Sequence, residues 1–328
     1  MALAADTLAA DTFALVADTG GTNTRVALAR GAQLMPETVR RFANADHGSL
    51  AEVLEKFVAE AGQVKCSAAA VAVAGPVRDG KGTLTNLAWE IDEPTVARAT
   101  GAERASVLND LQAQGHALGH LPAEALSPVL PGLPTAKGAT RLVIGVGTGF
   151  NIAPVYDGPT GRLVAPAEAG HVTFPVQTDA DLRLSAHLAR EHGFADVEEV
   201  LSGRGLGHLY TWLGHEAGDP RPATAADVMA ALKAGSDPRA EAAARLFVRF
   251  LGTVAGDLAL TFLPFGGIHL IGGVSRALAP CLIPFGFAEA FRDKGRFGPF
   301  LENFSVSVIE DDYAALIGLA HHLGRLGT

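Results

Sequence analysis

The chain has 328 residues, of which 48% are hydrophobic and 19% charged, with 38 glycines and a formal charge of −9. That length suggests two domains rather than one ordinary core, and the composition excludes a disordered polymer. The acidic balance, without any cluster of lysines and arginines, excludes a protein that tracks nucleic-acid phosphates, and no apolar run reaches the ~20 residues a membrane-spanning helix needs.

Residues 1–12 carry two acids and neither Lys nor Arg, so they read as a flexible leader rather than a secretory signal. The stretch FALVADTGGTNTRVALAR (13–30) then reads as strand, tight turn, strand. Ala-Asp-Thr occurs at 5–7, 10–12 and 17–19, but only the third copy follows an apolar run and precedes glycines, which singles out Asp18. The turn matches neither the Walker loop nor the Rossmann fingerprint. A hairpin turn can still cradle phosphate, because backbone N–H groups converge where glycine leaves out Cβ and threonine hydroxyls add donors. Gly20, Gly21, Thr22 and Asn23 are the candidates, with an ordinary hairpin whose glycines serve positive φ as the alternative.

Two small-apolar runs follow, SAAAVAVAGPV (67–77) and RASVLND (104–110), with the character of strands buried on both faces. The second ends in Asn109-Asp110, where a strand gives way to a helix; Asp110 there reads as either a catalytic carboxylate or a helix N-cap. Residues 121–140 are rich in Pro, Gly and Ala and mark a linker or a surface excursion. LVIGVGTGFNIAPVYDG (142–158) then repeats the first hairpin, with Gly147, Thr148 and Gly149 in its turn and Gly145 aligned opposite Asp18. Further on, Glu168 and His171 stand three apart in AEAGH, a spacing that alone equally fits a surface pair. Thr224 with Asp227, and Asp237-Pro238, are helix starts, and a long apolar stripe runs from Leu246 to Leu258. Gly252 and Gly256 on that helix point to close packing. A short strand then ends in Gly272-Gly273, and Leu316, Leu319 and Leu323 are helically spaced. Only Cys66 and Cys281 are present, so no disulfide framework or cysteine zinc site can be drawn, and a reducing cytoplasm is the expected location.

Two similar hairpins suggest a duplicated architecture. In this respect the chain resembles the sugar-kinase, heat-shock-chaperone and actin superfamily, whose two related domains clamp ATP between two phosphate-binding hairpins. SVLNDLQAQ (106–114), PAEAGHVTF (166–174), VEEVLSGRGL (197–206), HLIGGVSRAL (269–278) and FRDKGRF (291–297) resemble the bacterial glucokinase family in order and spacing, over nearly the whole chain from Phe13. The resemblance implies an α/β protein with the two-domain actin-like ATPase (ribonuclease H-like) fold and a ligand cleft between the domains. The small domain would comprise 13–120 plus 312–328, and the large one 121–311. It implies ATP-dependent phosphorylation of D-glucose at the 6-hydroxyl, the step that feeds glucose into glycolysis, by a zinc-less, cytoplasmic homodimer with no nucleic-acid or membrane partner. Asp110 would be the base, with Asn86, Asn109, Asp110, Glu168, His171 and Glu198 around the sugar. Asp18 would hold Mg²⁺ through water, Gly20 to Asn23 and Gly147 to Gly149 the phosphates, and Gly272-Gly273 the adenosine side. Ala169, where the family commonly has Gly, and the bulkier Phe150 and Asn151 are departures that bear on sugar preference. A kinase for mannose, fructose or an N-acetylated sugar, and a non-catalytic sugar sensor, are the alternatives.

Overall fold

A computed structural model describes residues 12–84, 87, 89–159 and 161–325. The leader expected over 1–12 therefore lies outside the described residues except for Thr12. Two compact units are present. The first takes the chain up to Ala123, Pro159–Val164 and the chain from Asp311; the second takes Glu124–Gly158 and Ala165–Glu310.

The first unit runs β1 (Phe13–Thr19), β2 (Asn23–Arg30), β3 (Gln33–Leu34), β4 (Arg40–Ala43), α1 (Leu50–Glu60) and β5 (Cys66–Val73). It continues with β6 (Val77–Arg78), β7 (Lys81–Thr83), β8 (Glu90–Asp92), α2 (Glu93–Thr100), β9 (Arg104–Asn109) and α3 (Asp110–Ala117). Its main sheet has the order β3-β2-β1-β5-β9, with β4 also paired to β2. Strands β1 and β2 form an antiparallel hairpin, whereas β1–β5 and β5–β9 are parallel. Period-two alternation sends Leu15, Ala17, Val26 and Leu28 to one face with residues of α1 and α2, and Ala14, Val16, Ala27 and Ala29 to the other.

The second unit opens with β10 (Leu126–Leu130), which lies inside the Pro- and Gly-rich stretch and pairs antiparallel at the sheet edge. After it come β11 (Arg141–Val146), β12 (Phe150–Gly158) and, in the segment returned to the first unit, β13 (Gly161–Val164). Helices α4 (Asp179–His192), α5 (Gly203–Glu216), α6 (Ala225–Ala234) and α7 (Pro238–Phe262) precede β14 (Ile268–Ile271), α8 (Gly273–Leu278), α9 (Phe287–Arg292) and β15 (Val306–Ile309). Strand order here is β10-β15-β14-β11-β12. An antiparallel β11–β12 hairpin followed by parallel β14 and β15 repeats the β1–β2, β5, β9 design, strand for strand. This repeated order is that of the actin-like ATPase fold.

Helix α7 starts where the sequence predicts, with the Asp237 carboxylate accepting from the Arg239 N–H at 2.9 Å and Pro238 in the first turn. Gly252 and Gly256 do allow close packing: a Cβ on Gly252 would stand 2.7 Å from the Phe287 carbonyl oxygen of α9. FRDKGRF, which the sequence left without a physical role, fastens that contact. Phe291 is fully buried, and Lys294 Nζ donates to the Thr253 carbonyl at 3.0 Å and pairs with Asp257 at 2.7 Å.

The chain ends its described part with α10 (Ala314–Leu323), packed on α3 and on the alanine face of the first sheet. Small residues on that face let two helices approach closely. Gly318 has no room for a methyl, since a Cβ there would overlap the Ala113 carbonyl oxygen and stand 2.9 Å from the Ala117 nitrogen. Gly318→Ala should therefore cost about 1–3 kcal/mol through overpacking, despite alanine's better helix propensity. Thermal unfolding checks this; a melting temperature equal to or above that of the parent would contradict it.

Candidate active site

In the first unit, β1 delivers Asp18 to the carboxyl end of the sheet, and the chain turns at once. The Gly20 N–H donates to the Asn23 carbonyl at 3.0 Å, closing the turn. Gly20 has no left-handed backbone, so a need for positive φ does not explain it. Asn44, buried and 24 residues after Gly20, brackets the loop. Its Nδ2 donates to the Gly20 carbonyl at 2.7 Å, its Oδ1 accepts from Thr24 Oγ1 at 2.8 Å, and its backbone N–H donates to the Thr22 carbonyl at 2.9 Å. Asp18, Gly20, Thr22, Asn23, Arg25 and Arg41 line a cavity of about 250 Å³. Burial pushes the half-buried Asp18 carboxyl above the usual range, opposed by the Arg25 guanidinium at 3.8 Å.

Parallel pairing carries the next candidates to the same end. Thr19 is in register with Val73, and Val73 with Asn109, so the Asp18 turn and the Asn109-Asp110 junction are two strands apart, about 10 Å. The ladder continues past the strands, with the Ala74 N–H donating to the Thr19 carbonyl at 3.0 Å and Asn109 Nδ2 to the Gly75 carbonyl at 3.0 Å. The helix cap here is Asn109, not Asp110. Asn109 Oδ1 accepts from the Leu111 N–H at 3.0 Å, and Gln112 Oε1 accepts from the Asn109 N–H at 3.2 Å, a reciprocal capping box. Asp110 is the first helical residue, half-buried, with Oδ1 2.9 Å from the Leu111 nitrogen. Asn86, expected on the sugar side, lies outside the described residues.

In the second unit, Gly147, Thr148 and Gly149 close the β11–β12 turn, with the Gly147 N–H donating to the Gly149 carbonyl at 2.9 Å. Gly147 and Gly273 have nothing where a Cβ would stand, so their backbones are open to approach. Gly272 is different: its φ of 105° suits glycine, and a Cβ would overlap the Val146 carbonyl. The parallel β11–β14 pair thus brings the Gly147 and Gly272 turns into contact at one sheet end. Gly149 faces the Glu198 carboxylate, which a Cβ would approach to 2.5 Å.

Glu198 is tightly held. Its Oε2 accepts from the Phe150 N–H at 2.8 Å, its Oε1 from Arg204 at 2.6 Å, and its own N–H donates to the Gly170 carbonyl at 2.9 Å. Glu168 and His171 bracket the same short turn, both exposed. Asn151 fixes that turn by donating to the Ala167 carbonyl at 2.5 Å and Glu168 Oε2 at 3.2 Å while accepting from the Ala169 N–H at 3.0 Å. Ala169 and Glu168 also line a largely apolar cavity of about 390 Å³ with Val172, Val254, Leu258 and Phe262, which places the extra methyl on the α7 side. His171 Nδ1 lies 3.1 Å from Asp196 Oδ2. That hydrogen bond raises the His171 pKa against burial, and Glu198 adds to the rise. The structure therefore groups Glu168, His171, Glu198 and Gly149 in one unit, and Asp18, Asn109 and Asp110 in the other.

The Glucokinase family model matches residues 15–326. A glucokinase of Mesorhizobium japonicum is 34% identical over 307 residues, covering 93% of this chain and 90% of its own. Among solved structures, a glucokinase from an Antarctic psychrotroph is 30% identical with a TM-score of 0.85, covering 95% of this chain and 98% of that one. A ROK family glucokinase from Streptomyces griseus, in complex with glucose and AMPPNP, shares the fold at a TM-score of 0.65 and 19% identity, covering 96% of this chain and all of that one. The chain belongs to the glucokinase family.

Asn44, Arg41, Asp196 and Arg204 escaped the sequence reading. Each acts on a site residue from a distant or unmarked position. Asp18 yields a prediction with a definite sign. Because its folded-state pKa is raised, ionised Asp18 costs stability at neutral pH, a cost that fades as pH falls into the carboxylate range. Asp18→Asn should hold or raise the melting temperature at pH 7, with the gap closing toward pH 4, while turnover falls steeply. Melts across pH check this, and a lower neutral-pH melting temperature for the variant would contradict it.

Proposed function

We propose that the chain transfers the γ-phosphoryl group of ATP to the 6-hydroxyl of D-glucose, giving glucose 6-phosphate and ADP. The observation that carries this reading is the register Thr19–Val73–Asn109, which sets the glycine turn after Asp18 and the Asn109-Asp110 junction about 10 Å apart at one sheet end in a member of the glucokinase family. Phosphoryl transfer requires an in-line hydroxyl, counter-charge and exclusion of water rather than elaborate covalent chemistry.

Asp110 accepts the proton of the 6-hydroxyl as the bond to phosphorus forms. Asn109 supplies the capping box, and Asp110, first in the helix, accepts from the Leu111 N–H through Oδ1. Asn109, Glu168, His171 and Glu198 meet the remaining hydroxyls, carboxylates as acceptors and the imidazole as donor, and Asn86 joins them by family resemblance. Backbone N–H groups of Gly20 to Asn23 and of Gly147 to Gly149 receive phosphate oxygens, Arg25 and Arg41 add counter-charge, and Gly272-Gly273 leave room for the nucleoside. Mg²⁺ fits Asp18: this half-buried carboxylate, raised in pKa by burial, is a hard oxygen donor that a cation would relieve. When bound, the ion neutralises charge on the β- and γ-phosphates. The assembly as a homodimer belongs to the same reading by resemblance.

Initial rates with ATP and magnesium chloride over glucose, mannose, fructose and N-acetylglucosamine test the proposal. Glucose should give the highest kcat/KM, with glucose 6-phosphate as product. A higher value for another hexose would move the substrate assignment, and ATP binding by a folded protein without turnover of any sugar would point to a sensor.

A further inference from the structure

A second cluster of chemistry-bearing side chains lies beside the Glu198 turn and takes no part in the proposed reaction. His192 ends α4, Glu199 sits in the turn before α5, and His208 lies within α5. One ring nitrogen from each histidine and one carboxylate oxygen all lie within 4.8 Å of one another. His192 Nε2 is 3.8 Å from Glu199 Oε2, and His208 Nδ1 is 3.1 Å from the same oxygen. The two imidazoles face each other with centroids 4.4 Å apart. Glu199 Oε2 is nevertheless a buried oxygen with no hydrogen-bond donor. His208 Nδ1 is also 3.0 Å from the Glu199 carbonyl oxygen. With the ring neutral and its proton on Nε2, the Nδ1 lone pair lies on the side of Glu199 Oε2, the form in which that nitrogen can ligate a metal.

We propose that His192, Glu199 and His208 form a site for a borderline divalent transition metal, zinc in type, that clamps the end of α4 to the 196–202 turn and to α5. Two imidazoles and one carboxylate are a recognised zinc donor set, with water as the fourth ligand. Bonds of about 2.0–2.2 Å bring ligand atoms to about 3.3–3.5 Å from one another, so donors now within 4.8 Å close by about 1.5 Å at most on binding. His192 is exposed at a helix end and provides that movement. Nitrogen-rich donors disfavour Mg²⁺, which separates this site from the one at Asp18. Arg204 lies 3.3 Å from Glu199 Oε1 and 2.6 Å from Glu198 Oε1, so the clamp also steadies the carboxylate assigned to the sugar. That last consequence rests on the kinase reading; the metal site does not.

Cobalt(II) titration of the full chain in excess magnesium chloride tests the proposal, followed by visible absorption. The expected result is one Co²⁺ per chain with the intense bands of four-coordinate cobalt, displaced by Zn²⁺, and a melting temperature that Zn²⁺ raises. His192→Ala, at an exposed position, should weaken binding at least about tenfold and abolish the zinc-dependent rise, as should His208→Gln. His321→Ala, in the separate stacked His120–His321 pair, should change neither. Binding unaltered in His192→Ala, or lost equally in His321→Ala, would overturn the site. None of these readouts depends on sugar turnover.

Discussion

The parallel pairing of β1, β5 and β9 is the constraint on which the first unit's chemistry depends. A strand is defined by its partners' register, and a slip of one residue would turn every side chain to the opposite face. Here the faces are chemically distinct, with larger aliphatics toward α1 and α2 and alanines toward α3 and α10, so a slip would put bulk where Gly318 and Ala113 leave no space. Register is therefore set by packing far from the site. Its consequence appears at the strand ends, where Thr19, Ala74, Gly75 and Asn109 continue the ladder by hydrogen bonds and hold the Asp18 turn two strands from Asp110.

The second unit repeats the strand plan but puts it to other use. Where the first hairpin carries Asp18, the second carries Gly145, so the carboxylate comes instead from Glu198, bound to the Phe150 N–H and to Arg204. Gly149 is small because that carboxylate occupies the adjoining space, and Gly170 because the Phe150 carbonyl oxygen and the Glu198 side chain do. The turn that holds Glu198, proposed for the sugar, also holds Glu199, which lies against two histidines. The two frames are alike in strand pairing and differ in the side chains at their strand ends.

Much of this was legible before any coordinates. Apolar runs ending in glycine marked β1, β5, β11 and β14, and Asp237-Pro238 and Thr224 with Asp227 marked helix starts, because those signals are local in sequence. Asn44 was not legible, since its bonds to the Gly20 loop arise only when β4 lies beside β2. The choice of cap at Asn109-Asp110 was likewise open, because both residue types cap well and only φ/ψ decides which one does. Segment 159–164 returns to the first unit without any change in composition. His192, Glu199 and His208 are spaced by seven and nine residues, a pattern with no periodic meaning until α4 and α5 are packed.

Direct binding and steady-state kinetics of Asp110→Ala test the central claim most sharply. Because Asn109 carries the cap, the variant should fold with only about 1 kcal/mol lost with the Asp110–Leu111 hydrogen bond, keep its calorimetric glucose Kd within about tenfold, and lose kcat by a far larger factor. Near-parental turnover in the folded variant would contradict the account, and the base would have to be sought elsewhere.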